Sequence, residues 1–127
     1  MKILVVDDDA MVARCVARLL VSLGHEVVVA SGMKAASLAF DFFDIHGHFD
    51  MIFSDYRMPD KTGDAVLTEI DQRNSGIACI LSTGGTGEVS IEQVIRQCPA
   101  KTVLLKKPYS LGDLCVALDQ AMRNVQS

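Results

Sequence analysis

Five short apolar runs punctuate the chain: Ile3-Leu4-Val5-Val6, Val27-Val28-Val29-Ala30, Met51-Ile52-Phe53, Cys79-Ile80-Leu81 and Val103-Leu104-Leu105. Four of them are nearly continuous rather than alternating, the pattern of strands covered on both faces in a parallel sheet. Between the runs the period lengthens to that of a helix. Val12, Val16, Leu19, Leu20 and Leu23 share one face of the first such segment, and Gly24 follows as a C-terminal stop. Residues 33–43 continue the pattern with Leu38, Phe42 and several alanines, and residues 62–73 repeat it with Val66, Leu67 and Ile70. A fourth helix is expected over 88–97, opening at Glu88. The last begins at Ser110, whose hydroxyl can cap it while Asp113 stands three residues on; Leu114, Leu118, Ala121, Met122 and Val125 form its buried stripe.

Strand and helix therefore alternate five times, which predicts one parallel sheet with right-handed crossovers and helices on both faces. Five strands with five helices suit the flavodoxin-like doubly wound α/β order 2-1-3-4-5 better than a six-stranded dinucleotide fold, and no glycine-rich nucleotide signature follows any strand. The 127 residues are expected to form a single domain over 1–127, with no room for a second.

Composition narrows the setting. Although 50% of the residues are hydrophobic, no apolar stretch approaches the roughly 18 to 20 residues that cross a bilayer, so a soluble protein with no membrane partner is expected. The opening Met1-Lys2-Ile3-Leu4-Val5-Val6-Asp7 is too short for a signal-peptide core and ends in acids, which points to the cytoplasm. Cys15, Cys79, Cys98 and Cys115 are widely spaced within apolar patterns and read as buried free thiols. A net charge of −4 without a basic block argues against direct nucleic-acid binding.

In such a sheet, ligands bind beyond the carboxyl ends of the strands, where the strand order reverses. Asp7, Asp8 and Asp9 follow the first strand, Ser31 the second, Asp55 the third, Ser82 and Thr83 the fourth, Lys106 and Lys107 the fifth. Any one of these is an ordinary polar strand end. Together, carboxylates from two neighbouring strands repel one another and call for a cation or raised pKa values. A hard divalent ion suits them: Mg²⁺ takes about six oxygens, commonly a few carboxylates with waters and a phosphate. A lysine and a hydroxyl opposite would complete a clamp on a phosphoryl group.

Val5-Val6-Asp7-Asp8, then Asp55-Tyr56-Arg57-Met58-Pro59 with Gly63 downstream, then Ser82-Thr83-Gly84, then Lys107-Pro108, each after an expected strand, resemble the receiver domains of two-component response regulators along essentially the whole chain. The resemblance implies a phosphoacceptor signalling domain rather than a turnover enzyme. Asp55 would be the nucleophile and phosphorylation site, fed by a phosphohistidine on a histidine kinase or histidine phosphotransfer protein. Mg²⁺, or Mn²⁺ in its place, would be held by Asp8, Asp55 and the Arg57 backbone carbonyl, with Asp7 acting through water. Lys107 would pair with the phosphoryl oxygens, the Thr83 hydroxyl and Gly84 amide would hydrogen-bond to them, and the Lys107–Pro108 peptide would be cis.

Several positions depart from the common pattern. Leu104 stands where receivers usually carry a switching aromatic, Gly84 stands where alanine is common, and Gly85 and Gly87 give that loop little to stiffen it. Arg57 holds a position that often tunes phosphoryl lifetime. His46 and His48 read as a solvated loop rather than a metal site, and Asp9 as a helix cap rather than a ligand. Two rivals share some of the chemistry. One is a small haloacid-dehalogenase-type phosphohydrolase, which would want a further acidic pair after the lysine strand. The other is a receiver-like interaction module that works without phosphate. The chain is expected to be a stand-alone receiver or the receiver of a larger protein such as a hybrid histidine kinase.

Overall fold

A computed structural model describes residues 1–46, 48–73, 76–84 and 91–126. Five strands, β1 (Lys2–Val6), β2 (Glu26–Ala30), β3 (Met51–Asp55), β4 (Ala78–Thr83) and β5 (Val103–Lys106), alternate with five helices, α1 (Ala10–Ser22), α2 (Met33–His46), α3 (Gly63–Arg73), α4 (Ile91–Gln97) and α5 (Leu111–Gln126). All strand pairs are parallel, in the expected order β2-β1-β3-β4-β5.

The continuous apolar runs have a simple cause. Neighbouring residues on a strand point to opposite faces, and each face is covered. Leu4, Val6, Ile52, Cys79 and Leu81 pack with Ala36 and Phe40 of α2, Val66, Leu67 and Ile70 of α3, and Val94 of α4. Ile3, Val5, Met51, Phe53, Ala78, Ile80 and Leu105 pack on the other side with Ala13, Val16 and Leu20 of α1 and with Leu114, Ala117, Leu118 and Ala121 of α5. Truncating any fully buried member, such as Ile52 or Leu81, costs about 2–5 kcal/mol.

The helix ends follow local chemistry. Asp9 caps α1, its Oδ1 accepting from the Met11 and Val12 amides at 3.0 and 3.3 Å. At the other end Gly24 takes φ +92°; the Gly24 amide donates to the Val21 carbonyl at 2.9 Å and the His25 amide to that of Leu20 at 3.1 Å, a Schellman stop. In α5, Ser110 Oγ accepts from the Asp113 amide and Asp113 Oδ2 from the Ser110 amide, both at 3.0 Å, completing the expected capping box.

Some expectations change. Leu38 is 64% exposed, because the buried face of α2 runs through Met33, Ala36 and Phe40, and position 38 lies two residues off that stripe. Helix α2 also continues to His46, so His46 closes a helix instead of opening a loop; Gly47 lies outside the described residues and His48 is exposed. The expected start of α4 at Glu88, and the glycines at 85 and 87, likewise lie outside the described residues. All four cysteines are free, but only Cys79 is buried; Cys98 is half-buried, while Cys15 and Cys115 are exposed. Each exposed cysteine directly precedes or follows a buried residue, Val16 or Leu114, and so is turned off the helix's inner face.

Candidate functional site

Strand register carries the polar strand ends to one edge of the sheet. Val6 lies beside Ser54, Asp55 beside Ser82, and Thr83 beside Lys106. One residue past β1, the Asp7 amide still donates to the Ala30 carbonyl at 3.0 Å, which extends the sheet hydrogen bonding into the site. Beyond β5, the Lys107 amide donates to the Thr83 carbonyl at 2.7 Å, and the Lys107–Pro108 peptide is cis.

The side chains meet there. Asp7, Asp8 and Asp55 each offer a carboxylate oxygen, and these atoms all lie within 4.8 Å of one another. Lys107 Nζ donates to Asp55 Oδ1 at 2.9 Å. Asp55 is the least accessible partner of that pair, its side chain 13% exposed against 32% for Lys107. Asp7 is buried, at 6%, and Asp8 is exposed, so the cluster runs from the core to solvent. Asp9 stands apart, engaged in its cap.

Burial raises the Asp7 pKa above the usual carboxylate range. The Asp9 amide, donating to Asp7 Oδ1 at 2.9 Å, opposes this; the charge of Asp55 raises the value further, and Lys107 lowers it. Tyr109, two residues past Lys107, is edge-to-face with Phe53 at 6.4 Å between centroids. Its phenol is pushed up by burial first and then by the charges of Asp7 and Asp55. Both shifts come from burial first, and the neighbouring carboxylate charges add to each. Three hard carboxylate oxygens this close together could hold a divalent cation such as Mg²⁺ or Mn²⁺, which would relieve their mutual repulsion.

The remaining expected residues are placed as follows. Thr83 is buried at the end of β4, across from Lys106; Ser82 is fully buried and its Oγ has no hydrogen-bond partner. Gly84 is exposed, with open space where a Cβ would stand. Arg57 lies on the segment between β3 and α3. That segment is held at its start by the Tyr56 amide on the Ser82 carbonyl, at 2.9 Å, and closed by the Gly63 amide on the Tyr56 carbonyl, at 2.8 Å. Leu104 is half-buried against the α2–α4 core and lines a cavity of about 110 Å³ with Ile95, Cys98 and Thr102. Ser31 follows β2, the edge strand beside β1, and is not among the three clustered carboxylates.

Two roles go beyond the sequence reading, which named Gly63 only as part of the motif. Gly63 is required sterically: a Cβ there would stand 2.2 Å from the Asp55 carbonyl oxygen and 2.6 Å from Leu81 Cδ1. Asp60 reaches across to α2, where its Oδ2 accepts from the Met33 amide at 2.9 Å. The spacing of Gly63 after Asp55 was a visible signal for the first. Nothing local marks the second, because its partner lies 27 residues away.

Comparison with known proteins agrees with this architecture. The family model for the response regulator receiver domain matches residues 3–119. The transcriptional regulatory protein PdtaR of Mycobacterium tuberculosis, from two strains, is 27% identical over 123 residues, which cover 95% of this chain and 56% of that protein. The chain thus spans about half the length of the curated relatives it matches. Among solved structures, a response regulator receiver domain protein from Clostridium thermocellum superposes with a TM-score of 0.81 at 28% identity, covering 98% of this chain and 96% of that one. The chemotaxis protein CheY4 of Vibrio cholerae gives 0.81 at 25% identity, covering 94% and 97%.

Proposed function

The chain belongs to the response regulator receiver-domain family, and from that premise we propose that it accepts a phosphoryl group on Asp55 from a phosphohistidine and changes its partner binding in consequence. The observation that carries this reading is the convergence, at one edge of the sheet, of three carboxylates within 4.8 Å and one ammonium 2.9 Å from Asp55. The family is a signalling domain rather than a turnover enzyme, which favours this reading over the phosphohydrolase alternative.

In the proposed reaction an Asp55 carboxylate oxygen forms a bond to phosphorus as the phosphorus–nitrogen bond of the donor histidine breaks. The electron pair stays on the imidazole, and the product is an acyl phosphate. A carboxylate is a modest nucleophile, so the rate depends on in-line placement and on neutralising the transferred charge. Asp7, Asp8, Asp55 and the Arg57 carbonyl are the residues that would hold Mg²⁺ or Mn²⁺, with Asp7 acting through water. When bound, the cation neutralises phosphoryl oxygens and the acidic cluster. Lys107 exchanges its bond to Asp55 for one to the transferred group. The Thr83 hydroxyl, beside Lys106 in register, and the Gly84 amide donate to phosphoryl oxygens once the group is in place. The added phosphoryl charge and acceptor oxygens are enough to draw that strand end into a second arrangement, and a partner that distinguishes the two reads the signal.

In this reading residues 1–127 form one receiver domain, stand-alone or within a longer protein. Its partners are a histidine kinase or histidine phosphotransfer protein and a downstream protein, in the cytoplasm. No helix among the described residues is long and apolar enough to cross a membrane. Incubation with Mg²⁺ and acetyl phosphate, followed by intact mass measurement, tests the proposal. The parent gains a single phosphoryl group and Asp55→Asn gains none; equal modification of both proteins would refute the assignment.

A further inference from the structure

Helix α2 starts without a cap of its own. The Gly32 carbonyl accepts from the Ala36 amide at 2.9 Å, which puts Gly32 at the cap position, where a Ser, Thr, Asp or Asn side chain ordinarily accepts from the first amides. Glycine has nothing to offer, and Asp60 supplies the carboxylate from the β3–α3 segment instead. Its Oδ2 accepts from the Met33 amide and its Oδ1 from the Lys61 amide, both at 2.9 Å, so both oxygens are oriented. A Cβ on Gly32 would lie 2.8 Å from Asp60 Oδ2 and 3.1 Å from Oδ1, so the absent side chain is what leaves room for the distant one.

The element that Asp60 grips is itself secured. Arg73 of α3 donates to the Ser37 carbonyl and hydroxyl at 3.4 and 3.3 Å, pairs with Asp41, and lies over the Phe40 ring at 5.2 Å. Met58 is buried in the same apolar cluster as Met33 and Ala36. Arg57 therefore lies between a fixed start at Tyr56 and a fixed apex at Asp60.

We propose that Asp60 is a positioning residue whose cap on α2 fixes the Asp55–Arg57 backbone for metal binding. This rests on the reading of Asp55 and the Arg57 carbonyl as Mg²⁺ ligands. A cap that served stability alone would leave Mg²⁺ affinity untouched once the protein is folded, and this separates the two roles.

Calorimetric titration with Mg²⁺, paired with metal-free melting curves, tests it on the parent, Asp60→Ala, Asp60→Asn, Gly32→Ala and Gly24→Ala. Asp60→Ala and Gly32→Ala are expected to weaken Mg²⁺ binding about tenfold, the scale of losing a group that orients a metal ligand. Asp60→Asn keeps an acceptor for the Met33 amide and recovers most of the affinity. Gly24→Ala, at the opposite end of the sheet, lowers the melting temperature and leaves the dissociation constant unchanged. Parental affinity in Asp60→Ala, or an equal loss in Gly24→Ala, would overturn the inference while leaving the functional reading intact. A parent that binds no Mg²⁺ would overturn both.

Discussion

At Asp7, burial and the neighbouring Asp55 charge oppose ionisation, so the folded protein binds this proton more tightly than the unfolded chain does. A carboxyl whose folded pKa is raised contributes a destabilising charge that is absent below the unfolded value of 3.8 and fully present above the folded one. Asp7→Asn keeps an oxygen for the Asp9 amide and removes the charge. In metal-free buffer at neutral pH the variant is therefore expected to melt above the parent. The difference should shrink as pH falls through the folded pKa, and melting curves across the acid range check this. At Gly63 the constraint is steric. Gly63→Ala drives a Cβ into the Asp55 carbonyl, a backbone atom that cannot swing aside; a loss of about 1–3 kcal/mol in denaturant unfolding is expected, with reduced phosphorylation by acetyl phosphate. The motif spacing made Gly63 visible in the sequence. The contact that demands it belongs to the packing of α3 on the end of β3, which no local pattern encodes.

Among the elements, the central strands β1, β3 and β4 were the easiest to read because both of their faces are buried, whereas β2 at the sheet edge leaves Val29 exposed. Helices were read from one face only, and α2 shows the limit. Leu38 and the buried Phe40 are equally apolar, and the neighbouring sheet decides between them. Local stop signals were more dependable, since their partners lie within a turn. Gly24 adopts the left-handed φ that a side chain resists, and Gly24→Ala is expected to cost about 1 kcal/mol in chemical denaturation with no change in Mg²⁺ affinity. The tie from Asp60 to α2 and the clasp of Arg73 on Asp41 stayed hidden for the opposite reason. Each joins segments that only the finished fold brings together.

For the molecule as a whole, thiol chemistry and metal linkage give independent readouts. Cys15 and Cys115 are exposed, whereas burial pushes Cys79 up to about 12 and Cys98 up to about 11. At pH 8 a thiol-specific colorimetric reagent is expected to modify two groups quickly in the native state and all four after denaturation. Mg²⁺ at a hundred times its dissociation constant is expected to add about 2.7 kcal/mol to the unfolding free energy, reversed by chelation and abolished in Asp8→Asn. The candidate site was legible because its chemistry gathers at strand ends, and strand order alone forecasts which ends are neighbours. The sheet also keeps two separate interiors. Alternate residues of the same strand feed opposite sides, α1 and α5 sharing one and α2, α3 and α4 the other. On the proposed reading, a shift at Thr83 would reach the second compartment, where Leu104 of the neighbouring strand packs, and would leave the first as it was.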